Sequence, residues 1–376
     1  MMVEETLAEL VAINSTSARS NEAIISFLSA RARAAGFRVQ HFPYTDRSGV
    51  EKVNMVALIG AADSSATEVE LALVGHTDTV PFDPSWSEAL RLTGRDGKLY
   101  GRGACDTKGF IAAALAATEG IDMTRLRRPL ALCFTADEEV GCLGAKHLAD
   151  ERAVRPRYSI VGEPTSLQPM RAGKGYCLAE ITVGGREGHS AYPALGASAI
   201  FRAARLVSRI EQIAEGLKAE EHGAFDPPHT TLNVGLIKGG TAKNILAGEC
   251  RFTLEWRPVP GQKAERVLDL VRAAVEDERG RDQDYECEID VTRIDQGMET
   301  PAESPLVLFL EEATGKTSGT VAFGTEAPQM MELGAQAVVI GPGNIREAHR
   351  TGEYVPVQEL HACARILSRA IERFCM

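Results

Sequence analysis

The sequence predicts an α/β fold built on a parallel sheet, with a ferredoxin-like α+β domain inserted into it. Short apolar runs alternate with amphipathic helical segments through the first half of the chain. This alternation is typical of a doubly wound parallel sheet. In the middle of the chain the order changes to β-α-β-β-α-β, which is the order of a ferredoxin-like unit.

The first half of the chain supplies the elements of the predicted parallel sheet. Apolar residues at helical spacing predict helices over residues 4–11, 21–35, 109–117 and 143–149. Short apolar runs predict strands buried on both faces over residues 54–59, 71–75, 130–134 and 158–161. Small and polar residues predict a turn or hairpin over residues 61–68.

The pattern changes near Gly173 and changes back near residue 296. Within this segment we expect strands over residues 178–183, 231–237, 249–257 and 286–293, and helices over residues 197–213 and 264–276. A helix over residues 306–314, a strand over 337–340 and a helix over 359–374 then follow. We therefore expect one domain split between residues 1–174 and 293–376, and a second domain formed by residues 175–292.

Composition excludes several classes of partner. The chain has 376 residues and a formal net charge of -11, with no long basic stretch. This argues against a nucleic acid or an anionic membrane as the partner and fits a small-molecule substrate. No apolar run approaches the roughly 20 residues that a membrane span needs. The eight scattered cysteines form no CxxC pair, and the start lacks a basic and an apolar segment, so we expect reduced thiols and a cytoplasmic location.

Histidine and carboxylate residues follow the predicted strands of the first domain. His76, the pair Glu138 and Glu139, Glu163 and His349 each come after a separate apolar run. Open α/β sheets carry their chemistry beyond the carboxyl ends of such strands. A sixth residue, Asp106, lies in the glycine-rich turn of residues 101–106. Mixed histidine and carboxylate ligands suit zinc, cobalt or manganese better than calcium, so the set predicts a hydrolase site with two metal ions.

Each of these residues also has a simpler interpretation when taken alone. His76 could form a surface hydrogen bond at a strand end, and Asp106 could cap a turn. Glu138 and Glu139 could lie in a solvated acidic loop. Asp78, two residues after His76 on the same side of an extended chain, is suited to orient the imidazole ring. The recurrence of such residues at successive strand ends favours the metal site.

Four motifs of the chain resemble the M20 metallopeptidase family. They are HTDTVP at residues 76–81, GRGACDTKG at 101–109, TADEEVG at 135–141 and GEPT at 162–165. They occur in the family's order, and the resemblance covers nearly the whole chain. It implies an amide hydrolase that uses two divalent ions, Zn²⁺ or Co²⁺.

The resemblance also implies a role for each residue of the metal site. Asp106 would bridge the two ions, and Glu138 would be the general base and acid. His76 and Glu163 would bind one ion, while Glu139 and His349 would bind the other. Asp78 would support His76, and the peptide bond after Asp106 would be cis.

The inserted segment resembles the family's lid and dimerisation domain, so we expect a homodimer. His189, in the GHSA motif of residues 188–191, would reach the partner's active site and stabilise the oxyanion. Asn244 and Arg257 resemble lid residues that bind the substrate carboxylate. All three would otherwise be interpreted as ordinary polar residues.

Three further segments are most similar to the acetylornithine deacetylase branch of the family: GTEAP at 324–328, GPG at 341–343, and residues 348–354. They imply hydrolysis of N2-acetyl-L-ornithine to L-ornithine and acetate, a step of arginine synthesis. The alternatives are another N-acyl amino acid, such as acetylcitrulline or succinyl-diaminopimelate, or carboxypeptidase activity. A non-catalytic binding protein is disfavoured because every ligand position and Glu138 are present.

Thr325 and Glu326 are candidate substrate contacts within the first of these segments. The Glu326 carboxylate could recognise the side-chain ammonium of ornithine. It could equally pair with a nearby arginine or cap the segment that follows.

Overall fold

The computed structural model describes residues 2–60, 67–119, 122–321 and 323–376. Most of the turn predicted over residues 61–68 lies outside these ranges. The chain divides into two compact units, one of residues 1–171, 300–319 and 325–376, and one of residues 172–299 and 320–324. The main stretch of the second unit begins at residue 172, three residues before the expected boundary, and ends at residue 299, seven residues after the expected one. The short return to the second unit near residue 320 was not anticipated.

The α-helices within the described ranges are α1 (Val3–Ala12), α2 (Glu22–Ala34), α3 (Lys108–Glu119), α4 (Leu143–Asp150), α5 (Ala199–Leu217), α6 (Arg266–Arg281), α7 (Pro305–Thr314), α8 (Ala327–Glu332) and α9 (Val357–Cys375). Within those ranges, none combines the length and apolarity needed to cross a membrane.

The strands are β1 (Arg38–Thr45), β2 (Glu51–Ile59), β3 (Glu68–His76), β4 (Thr93–Arg95), β5 (Lys98–Tyr100), β6 (Leu130–Thr135), β7 (Arg155–Val161), β8 (Met170–Gly173), β9 (Tyr176–Gly184), β10 (Thr231–Gly239), β11 (Glu249–Arg257), β12 (Cys287–Asp295), β13 (Met298–Glu299), β14 (Gly319–Val321), β15 (Gln336–Val339) and β16 (Tyr354–Pro356).

The main sheet of the first unit is mostly parallel, as predicted, with two antiparallel strands at one edge that the sequence did not indicate. Its strands lie in the order β1-β2-β6-β3-β7-β15. The last four are parallel, whereas β1 and β2 are antiparallel to each other and β2 is antiparallel to β6. Asp46 accepts hydrogen bonds from the backbone of Ser48 and Val50, and this tight turn sends the chain straight back as a hairpin.

The central strands of this sheet are buried on both faces, as their apolar runs predict. Leu71 and Leu73 of β3 belong to a core shared with α1, α3 and α9, whereas Ala72 and Val74 face the other way and are equally buried. Helix α8 contacts β7 and β15, and α4 contacts β2 and α8. Helices therefore cover both faces, and the parallel strand ends are left to carry the polar residues.

The second unit contains the predicted β-α-β-β-α-β order. Its antiparallel sheet has the order β10-β11-β9-β12, with β10 and β12 at the edges. Helices α5 and α6 pack on this sheet around a core that includes Phe252 and Trp256. The Trp256 indole donates to the backbone oxygen of Ala264 at 2.8 Å, so this large buried side chain has its hydrogen bond satisfied.

Helix α3 approaches the sheet closely because two strands present glycine beneath Phe110. A Cβ atom on Gly162 would lie 2.1 Å from Cγ of Phe110, and one on Gly75 would lie 3.3 Å from the same ring. Real Cβ contacts do not reach the first distance. Glycine is therefore required where β7 leads into Glu163.

We expect Gly162→Ala to destabilise the metal-free protein by about 1–3 kcal/mol, because Phe110 must move within a packed core. The control is Gly280→Ala in α6, where a Cβ meets nothing within 4 Å. That change should stabilise by about 0.5–1 kcal/mol through helix propensity. Calorimetric unfolding of the metal-free variants measures both, and an unchanged transition for Gly162→Ala would contradict the packing argument.

Candidate metal centre

The polar residues predicted from the strand ends lie at one edge of the main sheet. In the parallel register, His76 of β3 pairs with Thr135 of β6, and Val74 pairs with Val161 of β7. These strands therefore end at nearly the same level. His76 is the last residue of β3, while Glu138 and Glu163 follow β6 and β7 by three and two residues.

His76 is held between two carboxylates. Its Nε2 lies 3.0 Å from Oδ1 of Asp106, and its Nδ1 lies 3.0 Å from the backbone oxygen of Asp78 and 3.5 Å from the Asp78 carboxylate. A proton on Nδ1 donated towards Asp78 leaves Nε2 as the ligand atom. The peptide bond from Asp106 to Thr107 is cis, as the family resemblance implies.

Asp106 faces a second histidine with its other oxygen. Nε2 of His349 lies 3.1 Å from Oδ2 of Asp106 and 3.0 Å from Oε2 of Glu139. Asp106 thus stands between His76 and His349, as a bridging ligand requires. His349 has φ of 59°, a left-handed conformation that histidine adopts more readily than most residues other than glycine.

Two groups of donors are compact enough to hold ions. Ligand atoms of His76, Glu138 and Glu163 lie within 4.8 Å of one another, and so do those of His76, Asp106 and Glu139. The site therefore brings together all five predicted ligands and the predicted general base.

Asp78 connects the His76 segment with the loop that carries Glu138 and Glu139. Its carboxylate accepts the backbone N–H of Glu138 at 3.1 Å and that of Glu139 at 3.3 Å. It also accepts the hydroxyl of Ser17 at 2.7 Å. Asp78 therefore orients more than the His76 ring, which was the only role the sequence indicated.

Burial and like charge raise the pKa of three carboxyl groups in the site. Burial, followed by the negative charges of Glu139 and Asp106, raises the pKa of Glu138 to about 8. Burial and the charges of Asp106 and Glu138 raise the pKa of Glu163 well above its ordinary value. Burial also raises the pKa of Glu139, against the hydrogen bond from His349.

The pKa values of the two histidines are raised as well, because neighbouring carboxylates stabilise their charged forms. Hydrogen bonds to Asp106 and Glu139 raise the pKa of His349 to about 10. Burial opposes the charge on His76, but its hydrogen bonds to Asp106 and Asp78 outweigh this and raise its pKa as well. Without metal ions, protons on these groups thus compensate the crowded carboxylates.

The residues present fit a pair of divalent cations. The donors are imidazole nitrogens and carboxylate oxygens, a set that suits zinc or cobalt. Within the described residues, Oε1 of Glu139 is buried without a hydrogen-bond partner, so a carboxylate oxygen is available for a ligand. Two cations would replace the protons that now offset the negative charge.

Sequence reasoning missed Lys52 and Tyr44, which bond the Asp137 carboxylate and so hold the loop that carries Glu138. Buried Lys52 donates to Oδ1 of Asp137 at 2.8 Å and to backbone oxygens of Ser17 and Arg19. Tyr44 donates to Oδ2 of the same carboxylate at 2.9 Å. Asp137 has φ of 58°, so this ion pair fixes an uncommon backbone conformation directly before Glu138. Lys52 lies near the start of a strand whose remainder is mostly apolar, and that was the available signal.

Thr325 and Glu326 are buried, at 5% and 1% exposure. Glu326 precedes α8 without a side-chain capping bond, and within the described residues both of its carboxylate oxygens are buried without a hydrogen-bond partner. Burial raises the pKa of its carboxyl to about 7. Recognition of a substrate ammonium by Glu326 stays a prediction. Cys105 is also buried, and burial raises the pKa of its thiol, so it is not an activated nucleophile.

The predicted lid residues lie in the second unit. His189 and Asn244 are exposed on two adjoining loops, joined by a bridge between His189 and Ile245 and by a backbone hydrogen bond from Ser190 to Asn244. Arg257 lies elsewhere, at the last residue of β11. Its guanidinium bonds Glu255 at 2.8 Å and stacks on the Tyr176 ring.

Residues 72–373 match the model of peptidase family M20/M25/M40. The chain belongs to this family. The M20/M25/M40 enzymes are metal-dependent, and the cluster around Asp106 makes this chain a metal-dependent amidohydrolase of the family.

The chain is also similar to characterised M20/M25/M40 proteins along nearly its full length. An acetylornithine deacetylase from Myxococcus xanthus is 54% identical over 372 residues, covering 98% of this chain and 97% of that protein. An acetylornithine deacetylase from Klebsiella pneumoniae (strain 342) is 36% identical over 363 residues, covering 95% and 92%.

Solved structures of the family share the fold. A tripeptidase from Staphylococcus aureus superposes with a TM-score of 0.75 at 22% identity, covering 99% of this chain and 98% of that one. An M20 family metallo-carboxypeptidase from Sulfolobus solfataricus gives 0.74 at 17% identity, covering 100% and 99%. The predicted α/β architecture is therefore the family's own.

We expect metal binding to release protons, because the ligands bind in their deprotonated forms. The raised pKa of His349, about 10, and the raised pKa values of Glu139 and Glu163 mean that protons must leave at neutral pH. Affinity should rise as pH increases from about 6 to 9, with about one proton or more released per pair of ions.

Calorimetric titration of the metal-free protein in buffers of different ionisation enthalpy measures this release. His361→Asn, which removes a histidine bonded to Glu4 outside the site, should leave it unchanged. Binding heats that do not depend on the buffer would contradict the expectation.

Proposed function

We propose that this protein hydrolyses N2-acetyl-L-ornithine to L-ornithine and acetate, as a step of arginine biosynthesis. The observation that carries the proposal is the 54% identity with an acetylornithine deacetylase over 98% of this chain. The complete set of five ligands with Glu138 supports it independently, because that set provides for hydrolysis of an amide without a protein nucleophile.

Glu138 is the proposed proton carrier. Two bound divalent ions would polarise the acetyl carbonyl and acidify an adjacent water molecule. Glu138 takes a proton from that water as its oxygen adds to the acetyl carbon. It then delivers the proton to the departing nitrogen as the carbon–nitrogen bond breaks.

The loop holds Glu138 in place for this role. Its backbone N–H is bonded to Asp78, and its Oε1 lies 3.4 Å from the thiol of Cys142. The Asp137–Lys52 ion pair fixes the preceding residue. The carboxylate is thus oriented by contacts on both sides of the loop.

His189 is the proposed donor to the oxyanion. Its Nδ1 accepts the backbone N–H of Ala191 at 3.1 Å. An accepting Nδ1 places the proton of the neutral ring on Nε2, which is therefore a hydrogen-bond donor. A donor of this kind stabilises the negative charge that develops on the acetyl oxygen.

Asn244 and Arg257 of one chain cannot bind the same carboxylate. Asn244 lies in the loop before β11, at the end where the strand starts, and Arg257 is the last of its nine residues, so eight residue steps of strand separate the two ends. At about 3.4 Å per residue this corresponds to roughly 27 Å. We therefore propose that a complete site takes His189 and Asn244 from one chain and Arg257 from the other.

The second unit carries a surface suited to a homodimer. Leu236 and Ile237 of the edge strand β10 and Phe201 at the start of α5 are 72%, 57% and 71% exposed. Ile200 adjoins Gly239 and is exposed as well. An unpaired edge strand beside exposed apolar side chains favours pairing with a second copy. Helix α5 directly follows the His189 loop, so the same contact would bring His189 close to the partner.

The proposal also covers the metal ions, the cellular setting and the binding partners. The ions are proposed to be Zn²⁺ or Co²⁺. The eight cysteines form no disulfide, in agreement with the proposed reducing, cytoplasmic setting. The proposed substrate is a small N-acyl amino acid, with no nucleic acid or membrane partner.

The proposal is tested by assaying acetylornithine, acetylcitrulline and succinyl-diaminopimelate with zinc or cobalt, using the wild-type protein and Glu138→Gln. We expect the highest kcat/KM for acetylornithine. Glu138→Gln should keep both ions and lose about 10⁴-fold in kcat, the upper range for removal of a general base. A preference for another panel member would reassign the substrate, and a metal-replete, active Glu138→Gln would exclude the proposed role.

The composite site is tested by mixing two inactive variants, Glu138→Ala and His189→Ala. Each mixed dimer would have one site with both residues intact. At equal ratio half of the dimers are mixed, so about a quarter of the wild-type activity should return. Subunit exchange is verified with differently tagged chains, and wild type mixed with Glu138→Ala serves as the control. No recovery after verified exchange would exclude a shared site.

A further inference from the structure

Glu353 is a fully buried carboxylate that belongs to no predicted ligand position. It lies four residues after His349. Its Oε1 accepts the backbone N–H groups of Cys105 at 2.9 Å and of Asp106 at 3.0 Å. Its Oε2 accepts a hydrogen bond from the guanidinium of Arg102 at 2.5 Å. Both oxygens are therefore directed at the turn that presents Asp106.

Arg102 extends this connection to the segment after His76. Its guanidinium donates to the backbone oxygen of Pro81 at 3.2 Å and lies 5.5 Å from the centre of the Trp86 ring. Its own backbone N–H donates to Ala89 at 2.7 Å. Arg102 is 3% exposed, so the ion pair with Glu353 is shielded from solvent and salt.

Three segments that carry site residues meet at this ion pair. They are residues 76–81 with His76, residues 101–106 with Asp106, and residues 349–353 with His349. A backbone hydrogen bond from Gly101 to the oxygen of Glu353 at 3.1 Å adds to the same junction. The pair therefore fixes the distance between ligands that are far apart in the sequence.

We propose that Glu353, held by Arg102, is a positioning residue that fixes the bridging carboxylate of Asp106 relative to His349. This proposal rests on the proposed two-metal function. Asp106 directs one oxygen at each histidine, so a small rotation of its backbone would misplace both. Two backbone N–H bonds to one carboxylate oxygen prevent that rotation.

Loss of Glu353 should reduce the affinity for one metal ion more than the affinity for the other. The ion held by Asp106, Glu139 and His349 draws two of its ligands from the two segments that Glu353 itself belongs to or bonds directly. The other ion shares Asp106, but its His76 is connected to Glu353 only through Arg102 and the backbone of Pro81. The ion held by His76 and Glu163 has further support from the ends of β3 and β7 and from Asp78. Loss of Glu353 should therefore weaken the His349 ion selectively.

The test is a calorimetric titration of the metal-free, full-length protein with Co²⁺, comparing the wild type with Glu353→Gln. Glutamine has the same size but only one accepting oxygen, so its NH2 group must face either the Arg102 guanidinium or the two backbone N–H groups, and one side of the junction is lost. We expect one binding constant to stay within about threefold and the other to weaken by about 10–100-fold, as for loss of a residue that supports a ligand.

The matched control is Glu347→Gln in the same loop. Glu347 pairs with the exposed side chain of Arg350 at 3.2 Å, and within the described residues its carboxylate bonds neither Arg102 nor the turn of residues 101–106. Both binding constants should match the wild type. This control distinguishes the effect of removing a negative charge near His349 from the effect of breaking the contacts of Glu353 with Arg102 and the Asp106 turn.

A purely structural role makes a different prediction, since breaking a buried ion pair destabilises the fold whatever its purpose. A lower melting temperature of Glu353→Gln with both wild-type binding constants would overturn the proposal. If Glu353→Gln does not fold, Arg102→Lys decides, because lysine keeps the charge but cannot bridge Glu353 and Pro81. A folded Arg102→Lys with wild-type constants would also overturn it. If the wild type binds fewer than two ions, the proposed two-metal function itself fails.

Discussion

Electrostatic repulsion among buried carboxylates is the constraint on which the rest of this site depends. Parallel strands that end at one level bring Glu138, Glu139 and Glu163 to His76, and the turn of residues 101–106 adds Asp106 to the same cluster. Water is excluded from most of them, so their charges cannot be screened. Without metal ions, protons on the histidines and on the carboxyl groups with raised pKa values offset this negative charge. The donor geometry favours two divalent cations in place of those protons.

A site under such repulsion needs a rigid frame, and the frame is built from further buried charges. Lys52 neutralises Asp137 beneath the Glu138 loop, and Arg102 neutralises Glu353 beneath the Asp106 turn. Asp78 connects the His76 segment with the backbone of Glu138 and Glu139. Lys52, Glu353 and Asp78 each also bond backbone atoms. These bonds fix the position of the segment that carries a ligand, and so the position of the ligand itself.

The sequence predicted the part of this arrangement that depends on local pattern. Apolar runs located the central strands, and the residues after them proved to be neighbours because parallel strands end together. The pattern could not give the direction of β2, since an apolar run buried on both faces has the same appearance in either direction. Nor could it identify Lys52 or Glu353 as supports, because their partners lie far away in the sequence. The burial of Glu326 was not predictable either, because it depends on how α8 packs.

The incoming strand β8 and the outgoing strand β13 of the second unit pair with each other, Gly173 opposite Met298. The buried residues of its main apolar core all lie between Cys177 and Tyr285, whereas the first unit needs β15 and α9 from the end of the sequence. Domains commonly fold as units during synthesis. On the ribosome, the main core of the inserted unit is therefore available before the sheet that surrounds the carboxylates can close. His349 emerges last of the ligands, so a nascent chain cannot assemble its full set of metal donors until translation is almost finished.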